Sequence, residues 1–291
     1  MPHIPVLLNK ILETLGDING KTIIDTTFGA GGYSRAFLER GASVIAFDRD
    51  PSTAIFATEL SKKYGDKFIF INDNFSNITN HESRAANHVV FDFGISSMQI
   101  DTPARGFSWR FDAPLDMRMS DSGVTAAELI EKSTATELVK ILRDYGDVKK
   151  ATPIARAMKD ASPKTTFALR DLIYNPNDVA PVFQALRIAV NDELGEIERA
   201  LTAVPSMLEP GGMCLCVSFH SLEDRLVKQK FREWTTAPGN PKLPDILSPE
   251  FQLLKPIKPD AAELLANPRA RSSCLRGVRK IDNISETKGK K

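Results

Sequence analysis

Asp25-Thr26-Thr27-Phe28-Gly29-Ala30-Gly31-Gly32-Tyr33-Ser34 is the stretch that decides how this chain is read. It follows a short apolar run, Thr22-Ile23-Ile24, and leads into a helix-like stretch, Tyr33 to Glu39. A glycine turn between a first strand and a helix lets a ligand approach the backbone and points free N–H groups at it. Working outward, Val44-Ile45-Ala46-Phe47, Phe68-Ile69-Phe70-Ile71 and Val89-Val90-Phe91 read as further strands. Pro51 to Tyr64 is helical in pattern, with Pro51 at the first helical position. Short apolar strands separated by helices predict a parallel sheet covered on both faces.

The composition excludes several classes. With 42% hydrophobic and 26% charged residues over 291 positions, the chain is neither collagen-like, coiled-coil nor disordered. Lys plus Arg number 38 and Asp plus Glu 37, a net charge of +1, so bulk charge cannot coat a nucleic acid and local patches must do any such binding. Cys214, Cys216 and Cys274 form no Cys-x-x-Cys pair and no disulfide framework, so no metal site and a reducing compartment are expected. No apolar run reaches the roughly 20 residues of a membrane span. Met1-Pro2-His3-Ile4-Pro5 lacks the features of a secretory or transit signal, so a cytoplasmic protein is expected.

From Asp101 the pattern changes. Asp101 to Gly123 has no helical or strand period, yet holds Phe107, Trp109, Phe111 and several arginines. A loop this long inside a compact domain is functional or disordered, and its aromatics argue against disorder. Thr125 with Glu128, and Thr134 with Glu137, match the capping-box spacing and predict two helix starts. Phe183, Leu186, Val190, Leu194, Ile197, Leu201 and Val204 recur at helical spacing and predict one long helix. Pro210-Gly211-Gly212 then precedes a strand, Met213 to Phe219. The expected organisation is therefore a sheet domain over 1–100, an all-helical insertion over 101–185, and a return to the sheet over 186–291.

The ends of the early strands carry the candidate site. Gly-x-Gly-x-x-Gly, the dinucleotide fingerprint, is incomplete because its last position is Ser34. Asp-x-x-x-Gly-x-Gly remains, the arrangement found in S-adenosylmethionine enzymes, and that cofactor's carboxylate could take backbone donors around Gly29 and Gly31. Asp48 ends the second strand, where a carboxylate can accept both ribose hydroxyls. Phe75 follows the third strand and could lie against an adenine ring, and Asp92 ends the fourth.

Further stretches resemble the MraW family of bacterial methyltransferases, also called RsmH. They are Pro5-Val6-Leu7-Leu8, the Asp25 to Ser34 turn, Asp92-Phe93-Gly94-Ile95-Ser96-Ser97-Met98-Gln99 and Arg105-Gly106-Phe107-Ser108. Leu115-Asp116-Met117-Arg118-Met119, Phe183-Gln184-Ala185-Leu186-Arg187-Ile188, Ser218 to Arg225 and Asn267 to Ser273 continue the match in order over nearly the whole chain. The resemblance implies an α/β fold, a Rossmann-like class I S-adenosylmethionine-dependent methyltransferase with an inserted all-helical domain. It implies a cofactor site made by Gly31, Gly32 and Tyr33 with Asp48, Phe75, Asp92 and Gln99. It also implies methylation of the N4 amino group of a cytidine in the decoding region of small-subunit (16S) rRNA, within the 30S subunit. The family usually carries His where this chain has Tyr33.

Such chemistry needs an acceptor for the N4 protons, and Asp92 is the candidate by motif position. The Asn/Asp-Pro-Pro-aromatic segment of many amino-methyltransferases is missing here. The target base must be unstacked first. Arg105, Phe107 and Trp109, with Arg110 and Phe111, interleave cations and π-faces suited to a splayed base and its phosphates. Gln184, Arg187 and Asn191 are spaced to share a helix face. Ser218 and His220 are expected in a strand-to-helix loop lining the substrate mouth, since a hydrolase triad rarely forms from residues so close in sequence. Arg269, Arg271, Arg276, Arg279, Lys280, Lys288, Lys290 and Lys291 make the C-terminal segment basic, a sequence-independent phosphate holder. Two other readings remain at this point. One is an S-adenosylmethionine enzyme for another nucleic-acid or small-molecule amine; the other is a non-catalytic RNA-binding ribosome-assembly factor.

Overall fold

A computed structural model describes residues 5–81, 85–236 and 249–282. The described chain forms two compact units. One takes in the described parts of Met1–Asp48, Ser52–Phe93 and Glu196–Lys291; the other comprises Arg49–Pro51 and Gly94–Gly195.

The first unit opens with helix α1 (Leu8–Leu15), followed by β1 (Thr22–Asp25), α2 (Gly32–Glu39), β2 (Ser43–Phe47), α3 (Ala54–Tyr64), β3 (Phe68–Ile71) and β4 (Ala86–Asp92). Pro51 opens a 3-10 turn, Pro51–Thr53, ahead of α3. The second unit follows with α4 (Ser97–Asp101), α5 (Ala126–Lys132), α6 (Ala135–Gly146), α7 (Ala151–Ala161), α8 (Thr166–Asp171) and α9 (Val179–Asn191). Helix α10 (Glu193–Met207) leads back into the first unit, which ends with β5 (Leu208–Ser218), α11 (Ser221–Trp234), β6 (Phe251–Leu253), α12 (Ala261–Ala266) and β7 (Cys274–Lys280).

The described strands join in one sheet of order β3-β2-β1-β4-β5-β7-β6. The pairs from β3 to β5 are parallel, and β7 runs antiparallel to both β5 and β6. Ile23, Ile24, Val89, Val90 and Phe91 are all buried, as expected of strands covered on both faces. The chain moves outward from β1 to β2 and β3, then returns to β4 on the other side of β1. The crevice outside the carboxyl ends of β1 and β4 is therefore the switch point where such sheets bind ligands.

The helical unit has its own core, including Leu115, Met117, Ile130, Leu138, Leu142, Met158, Leu169, Phe183 and Leu186. Both capping boxes form: Thr125 Oγ1 accepts from the Glu128 amide at 3.1 Å and Thr134 Oγ1 from the Glu137 amide at 3.2 Å. This unit begins at Gly94 and ends at Gly195, wider at each end than the 101–185 stretch read from pattern. The added residues take in α4 at one end and the last turns of α9 with the first turn of α10 at the other.

Two expectations are corrected. The periodic stretch through Phe183 to Val204 is two helices, broken at Asp192, whose φ of 47° is left-handed. A Cβ at Gly195 would come within 2.5 Å of the Asp192 carboxylate oxygens, so that side chain lies over the first turn of α10 in the manner of a cap. Apolar periodicity cannot see such a break, because both helices keep their buried faces. Pro210-Gly211-Gly212 lies inside β5 rather than before it. Ala86 pairs with Leu208 and His88 with Met213, so the extra residues are absorbed as a bulge.

His88 gives the sheet a pH-dependent stability. It is buried in β4 and its Nδ1 has no hydrogen-bond partner among the described residues. Burial, reinforced by the Lys21 and Arg279 charges, lowers its pKa from 6.5 to about 4. The folded state therefore binds this proton less tightly than the unfolded chain. The histidine's contribution is intact above pH 6.5 and is lost as pH falls towards 4, a penalty of about 2–3 kcal/mol by pH 4.5. Denaturant titrations at pH 7 and pH 4.5 are expected to show a smaller drop for His88→Leu than for the parent chain. An equal drop would acquit the histidine.

Candidate active site

The glycine turn sits at the carboxyl end of β1. Gly31 has a φ of 76°, and a Cβ there would meet the Phe28 ring at 2.9 Å. Gly32 is bare for a different reason: a Cβ would strike Pro5 Cγ at 2.3 Å, so the N-terminal segment packs directly on the turn. The Tyr33 hydroxyl donates to the Val6 carbonyl, and its buried ring stacks on Phe37. The tyrosine thus fastens this segment.

Two acids organise the turn from either side. Asp25 is fully buried; its Oδ2 accepts from Ser34 Oγ at 2.6 Å and its Oδ1 from the Thr27 amide at 3.3 Å. Burial raises its pKa to about 6, against the opposing pull of these hydrogen bonds. Asp48, half-buried at the end of β2, accepts from the Gly29 amide at 2.7 Å through Oδ2. The Gly31 amide is bonded to the Phe28 carbonyl at 2.8 Å. The expectation of free N–H groups at Gly29 and Gly31 is therefore corrected: the protein uses both. Amides at the first positions of α2, Gly32 and Tyr33, lack intrahelical partners by position, the arrangement by which helix N-termini accept anions in general.

Asp92 closes β4. Its amide donates to Thr27 Oγ1 at 2.8 Å, which ties the two strand ends at the switch point together. Its Oδ1 is buried with no hydrogen-bond partner among the described residues. Burial first, then the nearby charges of Asp25 and Glu223, push its carboxyl well above the ordinary range. An orphaned buried carboxylate oxygen is costly unless a ligand donor completes it. Phe75 is half-buried, with its ring edge-on to Phe91 at 5.8 Å.

Gln99 lies in the helical unit. Its Oε1 accepts from the Ser96 amide and its Nε2 donates to Asp50 Oδ2 at 2.7 Å. Several substrate candidates also turn out to be committed inside this unit. Phe107 is 6% exposed and belongs to the core, so it offers no open stacking face. Trp109 is half-buried against Phe183, with ring centroids 5.6 Å apart. Arg187 forks Glu193 at 2.8 and 2.9 Å, and Gln184 Nε2 donates to the Tyr145 carbonyl. Asn191 is buried; its amide nitrogen donates to the Met117 and Arg187 carbonyls and its oxygen accepts from the Met119 amide. Helical spacing placed these three on one polar face, and that face is met by α6 at Tyr145, by the start of α10 at Glu193 and by the loop at Met117 and Met119. Phe111, at 51% exposure, and Arg110 are an aromatic and a cation that the loop does expose to solvent.

In the first unit, Ser218 is buried at the end of β5, with Oγ 3.3 Å from the Cys274 carbonyl that accepts from it. His220 caps α11, its Nδ1 accepting from the Glu223 amide. The neighbouring Asp224 is engaged by the Arg276 guanidinium at 2.7 and 2.9 Å, so no triad forms. Arg276 and Lys280 belong to β7 rather than to a tail, and Lys280 Nζ donates to the Pro205 and Leu208 carbonyls. Lys288, Lys290 and Lys291 lie outside the described residues. Sequence reasoning missed Asp25, inside the quoted turn, and Asp50, two residues beyond Asp48, as acids that hold neighbouring side chains in place. Their burial was the missing signal.

A Rossmann-like sheet with a glycine turn after β1, an acid closing β2 and an orphaned acid closing β4 defines a class I methyltransferase. Comparison narrows the class. The profile of the MraW methylase family matches residues 1–281, and the chain belongs to that family. It is 43% identical over 302 residues to a ribosomal RNA small subunit methyltransferase H of Caulobacter vibrioides, covering 97% of this chain and 96% of that one. The protein of that name from Granulibacter bethesdensis is 42% identical over 305 residues, covering 95% and 90%. Among solved structures, an rRNA methylase from Streptococcus thermophilus reaches a TM-score of 0.46 at 10% identity, covering 96% of this chain and 99% of that one. TrmN from Thermus thermophilus reaches 0.44 at 11%, covering 94% and 48%.

The cofactor is S-adenosylmethionine, and the site's donor set fits it. Asp48 at the end of β2 is a carboxylate, the acceptor type that ribose hydroxyls need, Asp92 Oδ1 has no hydrogen-bond partner among the described residues, and a Cβ at Gly29 would meet no atom within 4 Å, so the turn is open there.

Proposed function

We propose that this methyltransferase acts on the N4 amino group of a cytidine in the decoding region of small-subunit (16S) rRNA, presented within the 30S subunit in the cytoplasm. The relatives' shared name, at over 40% identity across nearly the whole chain, carries the substrate. The unpaired Oδ1 of Asp92 carries the chemistry. No described helix is long and apolar enough to cross a membrane.

Bound S-adenosylmethionine supplies an electrophilic methyl group. Asp48 would hold the ribose, and the α2 amides would hold the carboxylate. Asp92 Oδ1 accepts a hydrogen bond from the N4 amino group, which favours a pyramidal and more nucleophilic nitrogen, and takes its proton as the N–C bond forms, the methyl's bond to the sulfonium sulfur breaks and the sulfur leaves as a neutral thioether. Buried carboxyls suit that role, because a proton acceptor works best with a pKa drawn towards the working pH. We assign substrate binding to the helical unit, where Arg110 and Phe111 offer a cation and an aromatic face to an unstacked strand.

The decisive experiment incubates the protein with methyl-labelled cofactor and small subunits from cells lacking the enzyme. Nucleoside mass spectrometry is expected to show label in N4-methylcytidine. Label in another nucleoside would overturn the assignment, and label in none would favour the non-catalytic reading.

A further inference from the structure

Asp50 is 2% exposed, two residues beyond Asp48, and belongs by its contacts to the helical unit. Its Oδ2 accepts from Gln99 Nε2 at 2.7 Å and lies 2.9 Å from Arg105 Nη1. The guanidinium expected to meet phosphate is thus turned inward. Arg105 Nη2 donates to the Arg118 carbonyl at 2.9 Å, and the Arg105 carbonyl accepts from the Met117 amide at 3.0 Å. Arg118 in turn forks Asp116, with two contacts of 2.8 Å. Asn191 grips the same segment at Met117 and Met119.

These contacts form one chain, and its most buried charge is Asp50. A carboxylate removed from water needs a cation and donors around it, and withdrawing a cation that touches it raises the cost of keeping its charge buried. The arrangement of Arg105 to Met119 that satisfies Asp50 is therefore strongly preferred over any that withdraws Arg105. That segment carries Arg110 and Phe111, which the proposed RNA reading uses.

We propose that Asp50 is a positioning residue: through Arg105 and Gln99 it holds the Arg105–Met119 loop in the form that receives RNA. This rests on the rRNA reading above.

The test compares Asp50→Asn, Arg105→Gln and the double variant with the parent. It measures the rate of trypsin cleavage after Arg110, KM for small subunits, kcat, and cofactor affinity by calorimetry. For Asp50→Asn the expected result is cleavage at least tenfold faster and KM at least tenfold higher, with kcat and cofactor affinity within about threefold. The double variant should be no worse than Arg105→Gln alone, because both changes break one contact. Unchanged cleavage and KM, additive losses, or a cofactor affinity that falls as far as KM rises would each overturn the proposal. If Asp50→Asn does not fold, Arg105→Lys keeps the charge but not the fork; intermediate cleavage and KM are expected, and parental values overturn the idea. If the parent methylates no rRNA, the substrate reading fails while the cleavage rates still decide the role of Asp50.

Discussion

Asp48→Ala is expected to weaken S-adenosylmethionine binding at least a hundredfold, a loss of about 2.7 kcal/mol, with the circular dichroism spectrum unchanged. The size comes from two losses at one residue. The carboxylate that would accept the ribose hydroxyls disappears, and hydrogen bonds to charged acceptors are about twice as strong as neutral ones. The Gly29 amide also loses its 2.7 Å acceptor, so the glycine turn is no longer tied to the end of β2. Asp48 is half-buried at a strand end and its backbone amide stays bonded to the Ile71 carbonyl, so the sheet has no reason to open. Calorimetry decides the matter, and undiminished affinity would remove Asp48 from the site.

The second large effect is on the chemical step. Asp92→Asn keeps the side chain's shape but cannot take a proton, and kcat at saturating cofactor is expected to fall by about 10²–10³. The pH profile carries the sign. Burial and the Asp25 and Glu223 charges raise the Asp92 pKa, so its carboxylate form is gained as pH rises. Parental kcat should therefore climb with pH through that raised value, and the asparagine variant should lose this limb. A parental rate in Asp92→Asn would discard it as the N4 acceptor and leave it as a cofactor ligand alone.

How much of this was legible beforehand varies by element. The five parallel strands were readable because a strand buried on both faces must be a short apolar run, whatever packs on it. Both capping boxes were readable because four residues contain the whole interaction. Asp192 was not, since a left-handed residue between two amphipathic helices leaves the apolar period nearly undisturbed. The Pro210-Gly212 bulge was missed because its cause is the register of β4, a partner more than a hundred residues away.

The candidate site divides along the same line. Asp25 to Ser34, Asp48 and Asp92 could be placed from sequence because they lie at the ends of successive strands, and chain order alone puts them on one edge of the sheet. The uses of Phe107, Arg105, Arg187, Asn191 and Arg276 could not. Each is a polar or aromatic residue whose type suits RNA, yet Phe107 packs in a core and Asn191 clamps a loop. Arg105, Arg187 and Arg276 face Asp50, Glu193 and Asp224.

By itself the sequence determined the sheet, its glycine turn and the acids at its strand ends, because these depend on local periodicity and chain order. Only the tertiary structure decided which charges are spent inside the protein and which remain for a ligand. Burial and partnership are set by residues distant in the chain, and a side chain's chemistry is available to a substrate only when no neighbour has already claimed it.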